Sequence, residues 1–473
     1  MLLSWTVILG WGAFLFYSYH YGVLAPKLPL MGEMNRFIND TEALVGHITH
    51  LDLSPKHGMH GDGVAPPVSS SSVAVPGTPQ RDIDSVHIVF STDCTPYQDW
   101  QTLVMFHSAK VVGQIGPITR IASGCDDAKK ADLIALYAKL WPQYHIHFTP
   151  DFKKDGKTKK KYDFYNKPYG MKHWLENADP PVQAGQVIAL LDPDMILVRP
   201  ISTKMRGQPN NIVSRPVEES EIFERVEHGK PVGQTYGLGA PWVNDNHKKF
   251  NRGKICGEGS PCLDVPNEKE GWKYFSVGPP YILERDDFLK LCESWTLFVP
   301  RVYENYPYLL AEMYAYSMAA AHEELGHLRM DHFMVSNTFA GGEGWPWVDA
   351  LEDACLPPDA NGHFQPDVPL PSVVHFCQNY RVGDLQFAKR KMSKTAFTCD
   401  HPLLVEPPTN LGKVTYRYKN GKREDLDQKQ VKRNAYVLCT VYRSINAAMT
   451  DYKQRMCSGQ SNTTYVKTLS YRG

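Results

Sequence analysis

Asp192 and Asp194 are the residues best placed to do chemistry. They lie in the stretch Gln186 to Pro200, QVIALLDPDMILVRP, where the apolar run Val187 to Leu191 ends abruptly at Asp192-Pro193-Asp194. A short apolar run of this kind reads as a buried strand. Two carboxylates two residues apart at its end, with Pro193 stiffening the turn, present hard oxygens together. With no Cys or His beside them, they suit Mg²⁺ or Mn²⁺ rather than zinc. An ion held there can neutralise a departing diphosphate. The plainer reading is a polar turn after a core strand.

Two later residues carry the same tension between chemistry and structure. His375 stands alone in the apolar run Val373-Val374-His375-Phe376-Cys377. Such a histidine is ordinarily a satisfied core residue, yet its late position makes it a candidate third metal ligand. Glu312 opens the helical stretch Leu309 to Leu325, where the helix dipole alone favours a carboxylate. His322 and His327 are five residues apart and fall on different helix faces, so they are not read as a metal pair. The basic cluster Lys153 to Lys161 reads as a solvated loop.

These side chains need elements to hold them. Val86 to Ser91, Ile118 to Ala122, Tyr144 to Phe148 and Val187 to Leu191 read as strands, and Tyr97 to Val112, Asp126 to Leu140 and Pro168 to Asn177 as intervening helices. The alternation predicts a mostly parallel sheet covered by helices. Ligands bind at the carboxyl ends of such strands, where Asp93 and the Asp192/Asp194 pair fall. The second half is less regular. Gln208 to Val217 holds a strand-like piece, Gly229 to Lys273 is loop-rich, and Val277 to Leu283 turns into a strand. Arg285 to Phe298 reads as an amphipathic helix, and Gln428 to Met456 as one that docks on the body, followed by a polar tail.

Composition narrows the function classes. Lys+Arg and Asp+Glu balance at 51 each over 473 residues, which gives no basis for nucleic-acid binding. Neither G-x-x-x-x-G-K-[ST] nor G-x-G-x-x-G occurs. Acids only two residues apart cannot flank a glycosidic bond as hydrolysis requires. The ten cysteines include no C-x-x-C, which argues against a zinc ribbon or a thioredoxin motif. Their even number is compatible with disulfides in an oxidising compartment, and Cys256 and Cys262 form the expected local pair. Sequons at Asn39 and Asn462 fit the same compartment.

Leu2 to Val23 has no Asp, Glu, Lys or Arg and is long enough to span a bilayer. The expected organisation is a transmembrane signal anchor over residues 1–25, then a flexible Pro-, Gly- and Ser-rich stem over 26–84. A catalytic body over 85–405 and a helical extension with a tail over 406–473 follow.

Several motifs together, in order and spacing, resemble a family. They are Phe90-Ser91-Thr92-Asp93-Cys94 with Tyr97 and Asp99-Trp100-Gln101; Gly116-Pro117-Ile118-Thr119-Arg120; Asn166-Lys167-Pro168; Leu191 to Met195 with Arg199-Pro200; Val277-Gly278-Pro279-Pro280; and Ala311 to Tyr316. The chain resembles the hydroxyproline O-arabinosyltransferases and the related peptidyl serine α-galactosyltransferases. The resemblance implies a retaining GT-A-type α/β glycosyltransferase, a type II membrane protein of the Golgi or endoplasmic reticulum with a lumenal body. It implies a UDP-sugar donor, Mn²⁺ or Mg²⁺, and a hydroxyproline- or serine-containing protein acceptor. By position, Asp192 and Asp194 would hold the ion with His375, and Asp192 would also face the donor. Thr92 and Asp93 would lie by the uridine, Arg120 and Lys167 by the diphosphate or donor sugar, and Glu312 by sugar and acceptor as the catalytic carboxylate. Arabinofuranose transfer to hydroxyproline is the first expectation. The Asp-Pro-Asp form leans toward galactose transfer to serine, and a catalytically silent membrane-anchored glycoprotein-binding partner is the third reading.

Overall fold

Among the described residues, seven strands form the central sheet: β1 (His87–Asp93), β2 (Ile118–Ser123), β3 (His145–Thr149), β4 (Val187–Leu191), β6 (Val232–Thr235), β7 (Val277–Glu284) and β8 (Leu328–Met330). Their order is β3-β2-β1-β4-β7-β6-β8. β7 alone runs antiparallel to its neighbours β4 and β6, and the other pairings are parallel. The expected mostly parallel sheet is therefore present. The computed structural model describes residues 83–154, 160–206, 219–239, 241–244, 250–355, 358, 364 and 369–465. The expected membrane span, most of the stem, the Asn39 sequon, the middle of the basic cluster, Gln208 to Val217 and the end of the tail lie outside the described residues. Among those described, no helix is long and apolar enough to cross a membrane.

The alternation of side chains along each strand feeds two cores. Val89, Ile121, Ile188, Leu190 and Leu283 face one layer, which holds α3 (Asn166–Asn177), α7 (Arg285–Asn305) and α8 (Ala311–His322). Ile88, Phe90, Ile118, Ala189 and Leu191 face the other, which holds α1 (Pro96–Val111) and α2 (Asp127–Leu140). Three short helices, α4 (Arg252–Cys256), α5 (Pro261–Asp264) and α6 (Glu268–Phe275), lie between β6 and β7 in the chain.

The loop-rich reading of residues 229–273 missed β6. Its sequence, Val-Gly-Gln-Thr, has no apolar run, and its place comes from close packing. A Cβ on Gly233 would lie 2.9 Å from the Val277 side chain of β7, so only glycine lets the two strands approach.

A second sheet, β5 (Met195–Leu197), β10 (Val373–His375) and β9 (Met334–Val335), lies beyond the first. Hairpins β11 (Tyr380–Val382)/β12 (Leu385–Phe387) and β13 (Tyr416–Lys419)/β14 (Lys422–Asp425) follow. α9 (Trp345–Ala350) and the long α10 (Gln428–Met456) pack with them in a third core, which includes Trp100 and Val104 of α1. Disulfides Cys355–Cys439 and Cys399–Cys457 fasten α10, Cys94–Cys125 joins the ends of β1 and β2, and Cys256–Cys262 is the expected local pair.

Candidate active site

The chain passes from β1 to β2 and β3 on one side, then crosses to β4 on the other side of β1. The carboxyl ends of β1 and β4 thus flank the kind of switch point where open α/β sheets bind ligands. Asp93 ends β1, and Asp192 follows β4 directly.

Beyond Asp194 the chain enters β5, which pairs antiparallel with β10 in the register His375↔Met195. The Phe376 amide donates to the Asp194 carbonyl at 3.0 Å. This pairing brings His375, 181 residues along the chain by numbering, beside the acidic turn. One ligand atom each from Asp192, Asp194 and His375 lies within 4.8 Å of the others. His375 Nε2 is 3.2 Å from Asp194 Oδ1 and 3.9 Å from Asp192 Oδ2. The core-histidine alternative is half right, because the ring is mostly enclosed at 15% exposure, but it faces the two aspartates.

Each aspartate also meets a lysine. Lys167, near the start of α3, places Nζ 2.7 Å from Asp192 Oδ1 and 3.0 Å from Glu312 Oε1. Lys389, in the 3-10 turn after β12, is ion-paired to Asp194 Oδ2. Burial would raise the Asp194 pKa, but Lys389 and His375 hold it well below the usual carboxylate range. Burial would lower Lys167, and Asp192 and then Glu312 hold it above the usual lysine value. Burial would likewise lower His375; Cys377 and Asp194 lift it well above the usual imidazole value.

Glu312 sits in the first turn of α8 and is 3% exposed. Its backbone is held from two sides: the Glu312 amide donates to the Tyr162 hydroxyl at 3.1 Å, and Trp295 Nε1 donates to the Glu312 carbonyl at 2.7 Å. Burial raises its pKa, with Lys167 opposing. Oε2 has no hydrogen-bond partner among the described residues. A helix-dipole carboxylate has no need of this enclosure.

The structure therefore gathers Asp192, Asp194, His375, Lys167 and Glu312. It treats the other expected residues differently. Arg120 is fully buried and committed within the fold: it donates to Thr92 Oγ1 (2.8 Å), the Tyr137 hydroxyl (2.5 Å) and the Asp93 carbonyl (2.9 Å), and its guanidinium meets Asp99 Oδ1 at 2.9 Å. Thr92 also donates to the Ile121 carbonyl at 3.1 Å and is buried. These two residues tie β1 to β2 and to helices α1 and α2, which leaves their polar atoms engaged. Asp93 is partly exposed at the crevice, accepting from Thr95 and ion-paired at 3.1 Å to Lys153. Lys153, from the basic cluster, thus reaches this edge.

Lys389 was not legible as a site residue. It lies in a Lys-Arg-Lys run that reads as solvated surface. The β11/β12 hairpin carries it inward, where Tyr442 of α10 donates to the Gln386 carbonyl at 2.8 Å. Glu343 also escaped notice. It is buried, which raises its pKa, and it accepts from Ser336 and Asn337, with these hydrogen bonds and His375 opposing the rise.

The donor set fits a divalent cation of the Mg²⁺ or Mn²⁺ type: two carboxylates and one imidazole converge, with enough nearby positive charge to receive phosphate oxygens.

Residues 86–214 match the family model described as the hydroxyproline O-arabinosyltransferase family N-terminal domain. The chain is 27% identical over 264 residues to a peptidyl serine alpha-galactosyltransferase of Arabidopsis thaliana, covering 55% of this chain and 29% of that protein. It is 24% identical over 293 residues to one of Chlamydomonas reinhardtii, covering 58% and 35%. The chain thus spans about a third of the length of the curated relatives it matches. Among solved structures, the galactosyltransferase LgtC in complex with donor and acceptor sugar analogs aligns at 10% identity and TM-score 0.33, covering 62% of this chain and 87% of that one. That likeness is too distant to carry a conclusion. Over these residues the chain is thus similar to the hydroxyproline O-arabinosyltransferase family N-terminal domain and to the peptidyl serine alpha-galactosyltransferases.

Proposed function

We propose that the chain is a metal-assisted GT-A-type glycosyltransferase that moves a sugar from a UDP-sugar to a hydroxyl of a protein. The observation that carries this reading is the Asp192/Asp194/His375 cluster bracketed by Lys167 and Lys389, with Glu312 behind it, at the carboxyl end of β4. Asp192, Asp194 and His375 would hold Mn²⁺ or Mg²⁺, which when bound offsets the charge growing on the departing diphosphate. The protein's own groups do the rest. Lys389 adds positive charge beside the phosphate oxygens. Lys167 holds Asp192 and Glu312 in fixed relation, so no reorganisation is needed as charge develops. Glu312 stabilises positive charge at the anomeric carbon or positions the acceptor. The acceptor hydroxyl attacks from the face the diphosphate leaves, which retains configuration, and its proton passes to a diphosphate oxygen.

Arabinofuranose transfer to hydroxyproline is supported by the family match. Galactose transfer to serine is the second reading, favoured by the printed names of both curated relatives and by the aspartate that opens the Asp-Pro-Asp turn. The working location is the lumenal side of the Golgi or endoplasmic reticulum, with Leu2 to Val23 as membrane anchor. The four disulfides support an oxidising compartment.

The deciding experiment is a turnover assay of the purified chain with UDP-arabinofuranose and UDP-galactose on hydroxyproline-rich and serine-containing peptides, with Mn²⁺ or EDTA. Peptide mass identifies the transferred sugar and the residue that receives it. Mn²⁺-dependent transfer that disappears in Asp194→Ala supports the reading. A folded protein that binds none of these donors and transfers nothing supports the silent glycoprotein-binding alternative instead.

A further inference from the structure

Two buried polar atoms stand without partners beside the acidic cluster. One is Glu312 Oε2. The other is the Tyr281 hydroxyl, on a side chain that is 0% exposed. Among the described residues neither finds a hydrogen bond, although a buried polar group left unmade costs more than an ordinary hydrogen bond gains. Such groups are rare in folded proteins and point to a missing water, ion or ligand group.

Tyr281 is held rigidly. It lies in β7, paired to Leu190 of β4 and Gly233 of β6, and its ring stacks on Tyr316 of α8 with centroids 3.7 Å apart. Tyr316 is in turn fixed by a 2.8 Å hydrogen bond to His327 and by the edge of Trp295. Tyr316 lies one helical turn after Glu312 on α8, so this stack sets Tyr281 against the helix face that carries Glu312; after burial, Glu312 and Asp192 are among the charges that raise the Tyr281 pKa. Earlier on the same strand, a Cβ at Gly278 would come within 3.0 Å of Tyr236 and 3.2 Å of Met313, so glycine there leaves those side chains their place at this wall.

We propose that Tyr281 and Glu312 together form a subsite for one hydroxyl of the transferred sugar, with Glu312 Oε2 accepting its proton bond and the Tyr281 hydroxyl completing the contact. This deepens the transferase reading and rests on it. Placement decides for donor sugar over acceptor. Lys167 bridges Glu312 to Asp192, so the subsite is joined through a single ammonium group to the residue that would face the diphosphate. In a UDP-sugar the anomeric carbon is one oxygen from the β-phosphorus, which puts the ring hydroxyls close to that group. A site built to bond a hydroxyl rejects ligands that lack it far more strongly than an apolar pocket discriminates by size.

Calorimetric titration of the full chain in Mn²⁺ with UDP, UDP-galactose and UDP-arabinofuranose tests this. Tyr281→Phe and Glu312→Gln should each leave UDP affinity within about twofold, while the preference for the productive UDP-sugar over UDP falls at least about tenfold. Tyr281→Phe should keep its melting temperature, because it removes a hydroxyl that has no partner in the fold. A UDP-sugar preference untouched by Tyr281→Phe would overturn the subsite and leave a bridging water as the occupant. Equal weakening toward UDP and UDP-sugar would overturn it as well, since the residue would then shape the whole cleft. Loss of UDP binding from the unsubstituted chain would overturn the transferase reading along with it.

Discussion

Replacing Lys167 with methionine isolates the ion that holds the site together. The ammonium group lies 2.7 Å from Asp192 and 3.0 Å from Glu312, and the three side chains are 10%, 19% and 4% exposed. At this depth the pairing is not screened as a surface pair would be. Removing one partner of a buried pair typically costs about 3–5 kcal/mol, because the other charge is left uncompensated. Asp192 keeps some solvent and His375 as a neighbour, so most of the loss should fall on Glu312. That predicts a loss of about 3 kcal/mol for Lys167→Met at pH 7.5, read from guanidinium unfolding. Adding Glu312→Gln should recover about 2 kcal/mol of it, a coupling of the size expected for groups in direct contact. The single variant should also regain stability as pH falls, because a protonated Glu312 no longer needs the lysine. A Lys167→Met variant within about 0.5 kcal/mol of the parent, or a double variant worse than the sum of the singles, would refute the claim that Lys167 is there to hold the two acids.

Five other outcomes follow from the same structure. Asp194→Asn keeps the turn's shape but weakens the charge at the cluster, and donor turnover in saturating Mn²⁺ should fall by at least about 100-fold, with Lys389→Met lowering affinity for UDP itself. Arg120→Met should act on folding, costing about 3–5 kcal/mol in denaturant titration, with UDP affinity of the remaining folded protein unchanged. Burial and His145 push the His87 imidazole down to about 3, so the unfolded chain takes up that proton first. Its stability contribution is complete above pH 6.5 and is lost as pH falls toward 3, at about 1.4 kcal/mol per pH unit; unfolding from pH 7.5 to 5 should show this slope, flattened in His87→Gln. Joint replacement of Cys94 and Cys125 by serine opens a link between residues 31 apart and should cost about 3–4 kcal/mol on unfolding.

The first half of the fold was readable because strand and helix periods alternate cleanly there. Val187 to Leu191 is an apolar run with a polar stop, and the structure makes it a fully buried strand. The second half was harder for physical reasons. β6 holds its position by a glycine contact, and β5, β8, β9 and β10 are only two or three residues long, too short to show a period. The acidic turn could be read from Asp192 and Asp194 alone. His375 was expected there as a third ligand, though the β5–β10 register that brings it was not legible, and the arrival of Lys389 on a hairpin anchored by α10 was not legible at all. Arg120 shows the opposite failure. The resemblance puts Arg120 by the diphosphate or donor sugar, and only the three-dimensional arrangement reveals Asp99, Tyr137 and the Asp93 carbonyl already engaging it.

The central claim is that one divalent ion and one nucleotide diphosphate share the space between Asp192, Asp194, His375 and Lys389. Crystals grown with Mn²⁺ and UDP, with anomalous data collected at the manganese edge, test it most directly. The account predicts a single strong peak in coordination contact with both aspartates and the His375 ring, with phosphate oxygens between it and Lys389. UDP bound elsewhere, or manganese absent from the aspartates while UDP is present, would contradict it.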